Sequence, residues 1–159
     1  MWCLFGSVVA SINCKVLKRV IKQQRPAYAR RPDPGMPSSH ANSLAFLATY
    51  VAGAATVGGA LTLQSQVCAL GVLTAALFLT WLRVALGYHT LAQVAVGYVV
   101  GAASAAGWLW LGMRSVFPSL AQHPQRLVWL QGATLLAVVF FACKNVAQWL
   151  RDHRAAKLA

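Results

Sequence analysis

Acidic side chains are almost missing from this chain. Asp33 and Asp152 are the two among 159 residues. Two carboxylates cannot build the oxygen cage that magnesium or calcium requires, so no metal site is expected. Charge of either sign is scarce as well. Only 10% of residues are charged, against about 25% in average soluble domains. That scarcity excludes an ordinary soluble fold, which would lack the polar surface to cover itself. The four cysteines, Cys3, Cys14, Cys68 and Cys143, form no CxxC pair, which argues against zinc or a redox dithiol. They read as small apolar residues packed in helices. Residues 1–14 lack a basic n-region, and the cations follow the apolar run, the wrong order for a signal peptide. No Arg/Ser-rich transit peptide is present either. The abrupt start inside an apolar helix leads us to expect an N-terminally incomplete chain.

Apolar length is what the chain has. Hydrophobic residues make up 58% of it, and residues 43–63, 67–82, 91–111 and 127–143 contain no charge. A membrane span needs about 20 mostly apolar residues. The run at 67–82 reaches that length if its helix continues past Arg83 to Leu86. A first helix over 1–14 continues through Lys15–Lys22, with lysines reaching toward headgroups. The expected fold is all-α: one integral membrane helical bundle of about five transmembrane helices over residues 1–159. Loops are expected at 26–37, which holds four prolines, and at 112–126. A basic tail follows at 144–159.

The net charge is +12. In a soluble chain this would suggest nucleic acid, but here the cations follow membrane topology, and no nucleic-acid partner is expected. Successive spans are antiparallel. The end of helix 1 near Lys22, start of helix 2 near Ser38, end of helix 3 near Leu86 and start of helix 4 near His89 therefore share one face. Lys15, Lys18, Arg19, Lys22, Arg25, Arg30, Arg31, Arg83, Lys144, Arg151, Arg154 and Lys157 all fall there. Only Arg114 and Arg126 fall on the other. By the positive-inside rule this face is cytosolic or stromal. His123 and His153 read as solvated polar residues. Trp108, Trp110, Trp129 and Trp149 read as interfacial belts.

Three motifs lie on the basic face. Lys18-x6-Arg25-Pro26 spans about two helical turns, so both cations leave one side of the helix end. Alone it also fits plain membrane-surface anchors. Gly35-Met36-Pro37-Ser38-Ser39-His40 opens the second helix, whose N-terminus offers unpaired N–H groups to an anion. Alone it also fits a Ser N-cap with an interfacial His. Arg83-x5-His89-x3-Gln93 joins helices 3 and 4. His89 and Gln93 stand one turn apart, so the Gln carbonyl can accept from one ring nitrogen and fix which nitrogen is free. Gln93 alone also fits a helix–helix hydrogen bond.

Together the three motifs resemble the type 2 phosphatidic acid phosphatase superfamily, which carries K-x6-RP, PSGH and SR-x5-H-x3-D. The departures are Ser39 for Gly, Leu82 for Ser and Gln93 for Asp. The run Asp33–Ala41, His89-Thr90-x2-Gln93-Val94 and an extra C-terminal helix ending at Trp149, Arg151 and Asp152 look like the plastid epsilon-type lipid phosphate phosphatases. Dolichyl-diphosphatases are similar at the second and third motifs and also carry Gln. The superfamily core has six spans; this chain matches the last four.

The resemblance implies metal-free, cofactor-free phosphoryl transfer in two steps. Lys18, Arg25 and Arg83 would grip phosphate oxygens, with Ser38 and the Ser39 backbone completing the cradle. His89 would attack phosphorus, His40 would protonate the leaving oxygen and then activate water, and Gln93 would orient His89. Asp33, the one acid near these motifs, is a candidate for a supporting part. Exchange of Gln93 for Asp is expected to keep activity or raise it. The partners implied are a lipid phosphate, phosphatidate first, and the bilayer of the plastid envelope, with the endoplasmic reticulum as the alternative. Two other readings stay open: a dolichyl or polyprenyl diphosphatase, and a non-catalytic protein binding anionic lipid through its cations.

Overall fold

In a computed structural model, which describes residues 1–25, 34–57 and 62–158, the chain is an all-α membrane bundle, with no strand among the described residues. The helices are α1 (Trp2–Ile21), α2 (Ser39–Val57), α3 (Leu63–Ala85), α4 (Leu91–Leu111), α5 (Phe117–Gln122) and α6 (Arg126–Leu158). The four helix ends expected on the motif face fall within two residues of their anticipated positions. Three stretches are long and apolar enough to cross a bilayer: Leu63–Ala85, Leu91–Gln122 and Arg126–Arg151. The helices α1 and α2 are long too, but Lys15, Lys18 and Arg19 end one, and Ser39, His40, Asn42 and Ser43 open the other.

Two expected boundaries change. The supposed loop at 112–126 is mostly helix, because a π-helical turn at Gly112–Val116 carries α4 into α5. Only residues 123–125 break the path. The supposed tail is the end of α6, which runs unbroken to Leu158. Of the Pro-rich segment, residues 26–33 lie outside the described residues, and with them Asp33, Arg30 and Arg31.

Helix α2 is the centre, packed by α1, α3 and α4. Ala10, Phe46, Tyr50, Ala105 and Leu109 form the core. The approach of α4 to α2 depends on missing side chains. A Cβ on Gly97 would stand 2.6 Å from the Ser38 carbonyl oxygen, and one on Gly101 would collide with the Asn42 carbonyl. Small residues four apart allow such backbone contact between membrane helices. This contact seats the start of α4 against the start of α2, and so puts the third motif on the second.

The helix α1 is held at both ends. Trp2 and Trp108 stack at 4.3 Å, and each indole N–H donates to the other residue's carbonyl, at 3.1 and 2.9 Å. Trp108 is thus a packing residue; Trp110, Trp129 and Trp149 do face outward. Asn42 Nδ2 donates to Ala10 O at 3.3 Å, tying α1 to α2. Lys15 Nζ donates to Asn145 Oδ1 at 2.8 Å, tying α1 to α6. The outer faces of α3 and α6 expose Leu70, Leu77, Phe78, Leu135, Leu136 and Phe140, the surface lipid chains would cover. Cys14 is buried as expected, whereas Cys68 and Cys143 lie on outer faces; all four cysteines are free thiols.

Candidate active site

The third motif is a tight inter-helix turn. Helix α3 ends at Ala85, and Gly87 takes φ 73°, a left-handed conformation glycine adopts without strain. The chain folds back so that Arg83 O accepts from both Tyr88 N, at 3.1 Å, and His89 N, at 3.2 Å. Thr90 then caps α4. Its hydroxyl accepts from Gln93 N at 3.3 Å, and Gln93 Oε1 accepts from Thr90 N at 3.3 Å. This capping box fixes Gln93 one turn beyond His89.

His89 is 2% exposed and engaged at both ring nitrogens. Nδ1 lies 3.1 Å from Gln93 Oε1, and Nε2 lies 3.0 Å from Arg25 Nη1. The tautomer follows from the far end of the Gln93 amide, which stands 2.8 Å from the Gln24 carbonyl oxygen. That oxygen only accepts, so the amide end facing it is the NH₂ and the end facing His89 is the oxygen. Nδ1 therefore carries the proton, and the Nε2 lone pair accepts from Arg25. The ring is a neutral base with its free lone pair aimed at a cation. Its pKa is pushed down from 6.5 to about 4. Burial is the first cause. The Arg25 charge lowers it further, and so do Lys18 and Arg83, against the bond from Gln93 that raises it.

Arg25 also donates from Nη1 to Tyr88 O at 3.2 Å. Lys18 is 9% exposed, and its Nζ donates to Pro34 O at 3.0 Å. Gly35 and the Gln23–Gln24 stretch close over Gln93: Gly35 N donates to Gln23 O at 2.7 Å, and a Cβ on Gly35 would stand 2.5 Å from Gln93 Nε2. Ser38 is fully buried as the N-cap of α2, with its N–H on Gln93 O at 3.0 Å and its Oγ 3.5 Å from Ala41 N. The first and third motifs thus meet at His89, and the second joins them through Ser38.

The remaining candidates gather next door. Ser39, His40 and Arg83 line an open cavity of about 500 Å³ between α2 and α3, walled by Leu44, Leu79, Leu82 and Leu86. His40 is exposed, and His89 is not among the cavity's lining. The Arg83 guanidinium lies 4.4 Å from the Tyr88 ring centroid, a cation–π contact that steers it along the cavity rim. Ser39 Oγ lies 3.7 Å from the buried Cys14 thiol. Among the described residues no group of three His, Cys, Asp or Glu is arranged for a metal.

Several partners escape a sequence reading. Thr90 and Gln93 do carry the Thr-x-x-Gln capping signature. Gln24, Pro34 and Tyr88 act through backbone carbonyls, which every residue has, so no residue type announces them. Gly35 acts by lacking a Cβ.

A family profile described as PAP2 superfamily matches residues 1–117. Among curated relatives, the chain is 34% identical to lipid phosphate phosphatase epsilon 1, chloroplastic, of Arabidopsis thaliana, over 97% of this chain and 55% of the relative. It is 31% identical to lipid phosphate phosphatase epsilon 2, chloroplastic, of the same plant, over 97% and 54%. Dolichyldiphosphatase 1 of Rhinolophus ferrumequinum is 33% identical over 69% of this chain and 52% of the relative. The chain spans about half the length of these relatives. No solved structure matches it significantly. The profile covers all three motifs and the helices that bring them together, and the chain belongs to the PAP2 superfamily.

Proposed function

We propose that the chain is a lipid phosphate phosphatase that releases phosphate from phosphatidate in the plastid envelope, through a phosphohistidine at His89. The observation that carries this reading is the double hold on His89. A neutral imidazole has its proton committed to Gln93 and its lone pair directed at Arg25. A phosphate gripped by Arg25 would lie within reach of that lone pair. The superfamily membership and the two chloroplastic lipid phosphate phosphatases add support.

The chemistry runs as follows. His89 Nε2 forms a bond to phosphorus as the bond from phosphorus to the lipid oxygen breaks. Protonated His40 gives its proton to the departing oxygen, releasing diacylglycerol. Neutral His40 then takes a proton from water, whose oxygen attacks phosphorus while the P–N bond breaks. Lys18, Arg25 and Arg83 offset the charge that builds on the phosphoryl oxygens, and Ser38 with the Ser39 backbone completes the cradle. The apolar wall of the cavity beside His40 suits the acyl chains.

Exchange of His89 for Ala should cut phosphate release from phosphatidate micelles by roughly 10⁴-fold or more, with insertion intact. Label from ³²P-phosphatidate should be trapped on the wild-type chain and not on the variant. A His89→Ala chain with wild-type activity overturns the assignment. Dolichyldiphosphatase similarity over 124 residues favours a second substrate, a polyprenyl diphosphate. Parallel assays on phosphatidate and dolichyl diphosphate separate the two.

A further inference from the structure

We propose that Gln93 is a positioning residue for Arg25 as well as for His89, and that its amide, not a carboxylate, suits this site for that reason. The inference rests on the catalytic reading above. Gln93 is 1% exposed, and both ends of its amide are used. Oε1 holds His89 Nδ1 at 3.1 Å; Nε2 donates to Gln24 O at 2.8 Å. Gln24 precedes Arg25 in the chain, so the amide fixes the peptide from which Arg25 reaches His89 Nε2. The Gly35 N–H pins the same segment one residue earlier, at Gln23 O, and Gly35 itself lies flat against the amide.

A carboxylate at position 93 would still accept from His89 and from Thr90 N. It would have no proton for Gln24 O, and two oxygens would face each other across a half-buried contact, so the bond is lost and repulsion takes its place. Aspartate is also one bond shorter. The sequence alone reads Gln93→Asp as neutral or beneficial; the bond to Gln24 O leads us to expect a loss instead.

The discriminating exchange is Gln93→Glu, which keeps the reach and the acceptor for His89 while removing the donor to Gln24. At pH 8, with phosphatidate micelles, we expect competitive inhibition by inorganic phosphate to weaken about tenfold in Gln93→Glu, the size of one net hydrogen bond. In an Arg25→Ala background the same exchange should change phosphate inhibition by less than about twofold, because the group it positions is gone. Gln93→Asp should show the larger loss. A residue that only orients His89 would leave phosphate inhibition untouched in Gln93→Glu, and that result overturns the proposal. Equal factors in both backgrounds overturn it too. Gly35→Ala pushes on the amide from its other side and should weaken phosphate inhibition in the same way, even if Gln93→Glu fails to insert; unchanged inhibition there also counts against the coupling. If His89→Ala stays active, the catalytic reading falls first. If His89→Ala is inactive and the two exchanges multiply independently, only the coupling is wrong.

Discussion

The two histidines of the site live in opposite surroundings at the same end of the bundle. His89 is buried, with a hydrogen-bond partner at each ring nitrogen. His40 is exposed at the rim of an open cavity lined by leucines and Arg83. The contrast fits the two tasks proposed for them. A nucleophile gains from a fixed ring, a fixed tautomer and a low pKa, since its reactive form is the neutral one. A group that passes a proton first to a lipid oxygen and then from water has to meet both, and an open cavity admits both.

The largest effects should come from breaking this division of labour. His40→Ala should lower phosphatidate hydrolysis by about 10²–10⁴-fold, the usual worth of a general acid–base group. With an aryl phosphate, whose leaving oxygen needs no proton, the first step should survive. Label should then build up on His89, because the water step still lacks its base. Quench-flow with ³²P-labelled aryl phosphate reads that build-up directly; no accumulation would sink the acid–base role of His40.

A smaller effect is expected on the buried side from Gly35→Ala. The added Cβ falls on the Gln93 amide, so the amide or the Gln23–Arg25 segment must give way. Overpacking of this kind costs about 1–3 kcal/mol, and a chemical denaturation series in micelles would register it. Wild-type stability together with wild-type phosphate inhibition would count against the coupling of Gln93 to Arg25.

The smallest effect is a titration. With His89 pushed down to about 4, its ring resonances should stay those of the neutral form as pH falls through 6.5, and change near 4. Removing the Arg25 charge with Arg25→Ala takes away a cause that lowers the pKa, so the midpoint should move up. The sign extends to stability. The folded His89 binds a proton less readily than the unfolded one, so its contribution is full above about 6.5 and fades as pH falls toward 4. A wild-type midpoint near 6.5 would remove the contrast between the two histidines.

Much of the bundle is legible from the chain. The motif-face ends of α1 to α4 follow from apolar runs, a Ser cap before α2, and the length a span needs, which carries α3 past Arg83. The pairing of the three motifs follows from antiparallel parity alone. The helix through 112–122 is not legible, because Gly112 and Pro118 read as loop residues. A π-helical turn absorbs the first, and the second sits in the first turn of α5, where proline needs no N–H partner. Trp108 misleads similarly. An aromatic near a span end suggests an interface belt, and only the facing Trp2 makes it a half-buried stacked pair.

Composition, parity and spacing by themselves determined that this is a basic-faced membrane bundle with Lys18, Arg25, His40, Arg83 and His89 at one end. Those properties are carried by residue types along a line, and hydropathy and helix periodicity read them directly. Only the tertiary structure decided that Arg25 reaches His89, that His40 stays open to the cavity, and that Gln93 joins the Gln24 carbonyl to His89. Carbonyl oxygens and missing Cβ atoms make those contacts, and a backbone group has no identity in the sequence until the fold places something beside it.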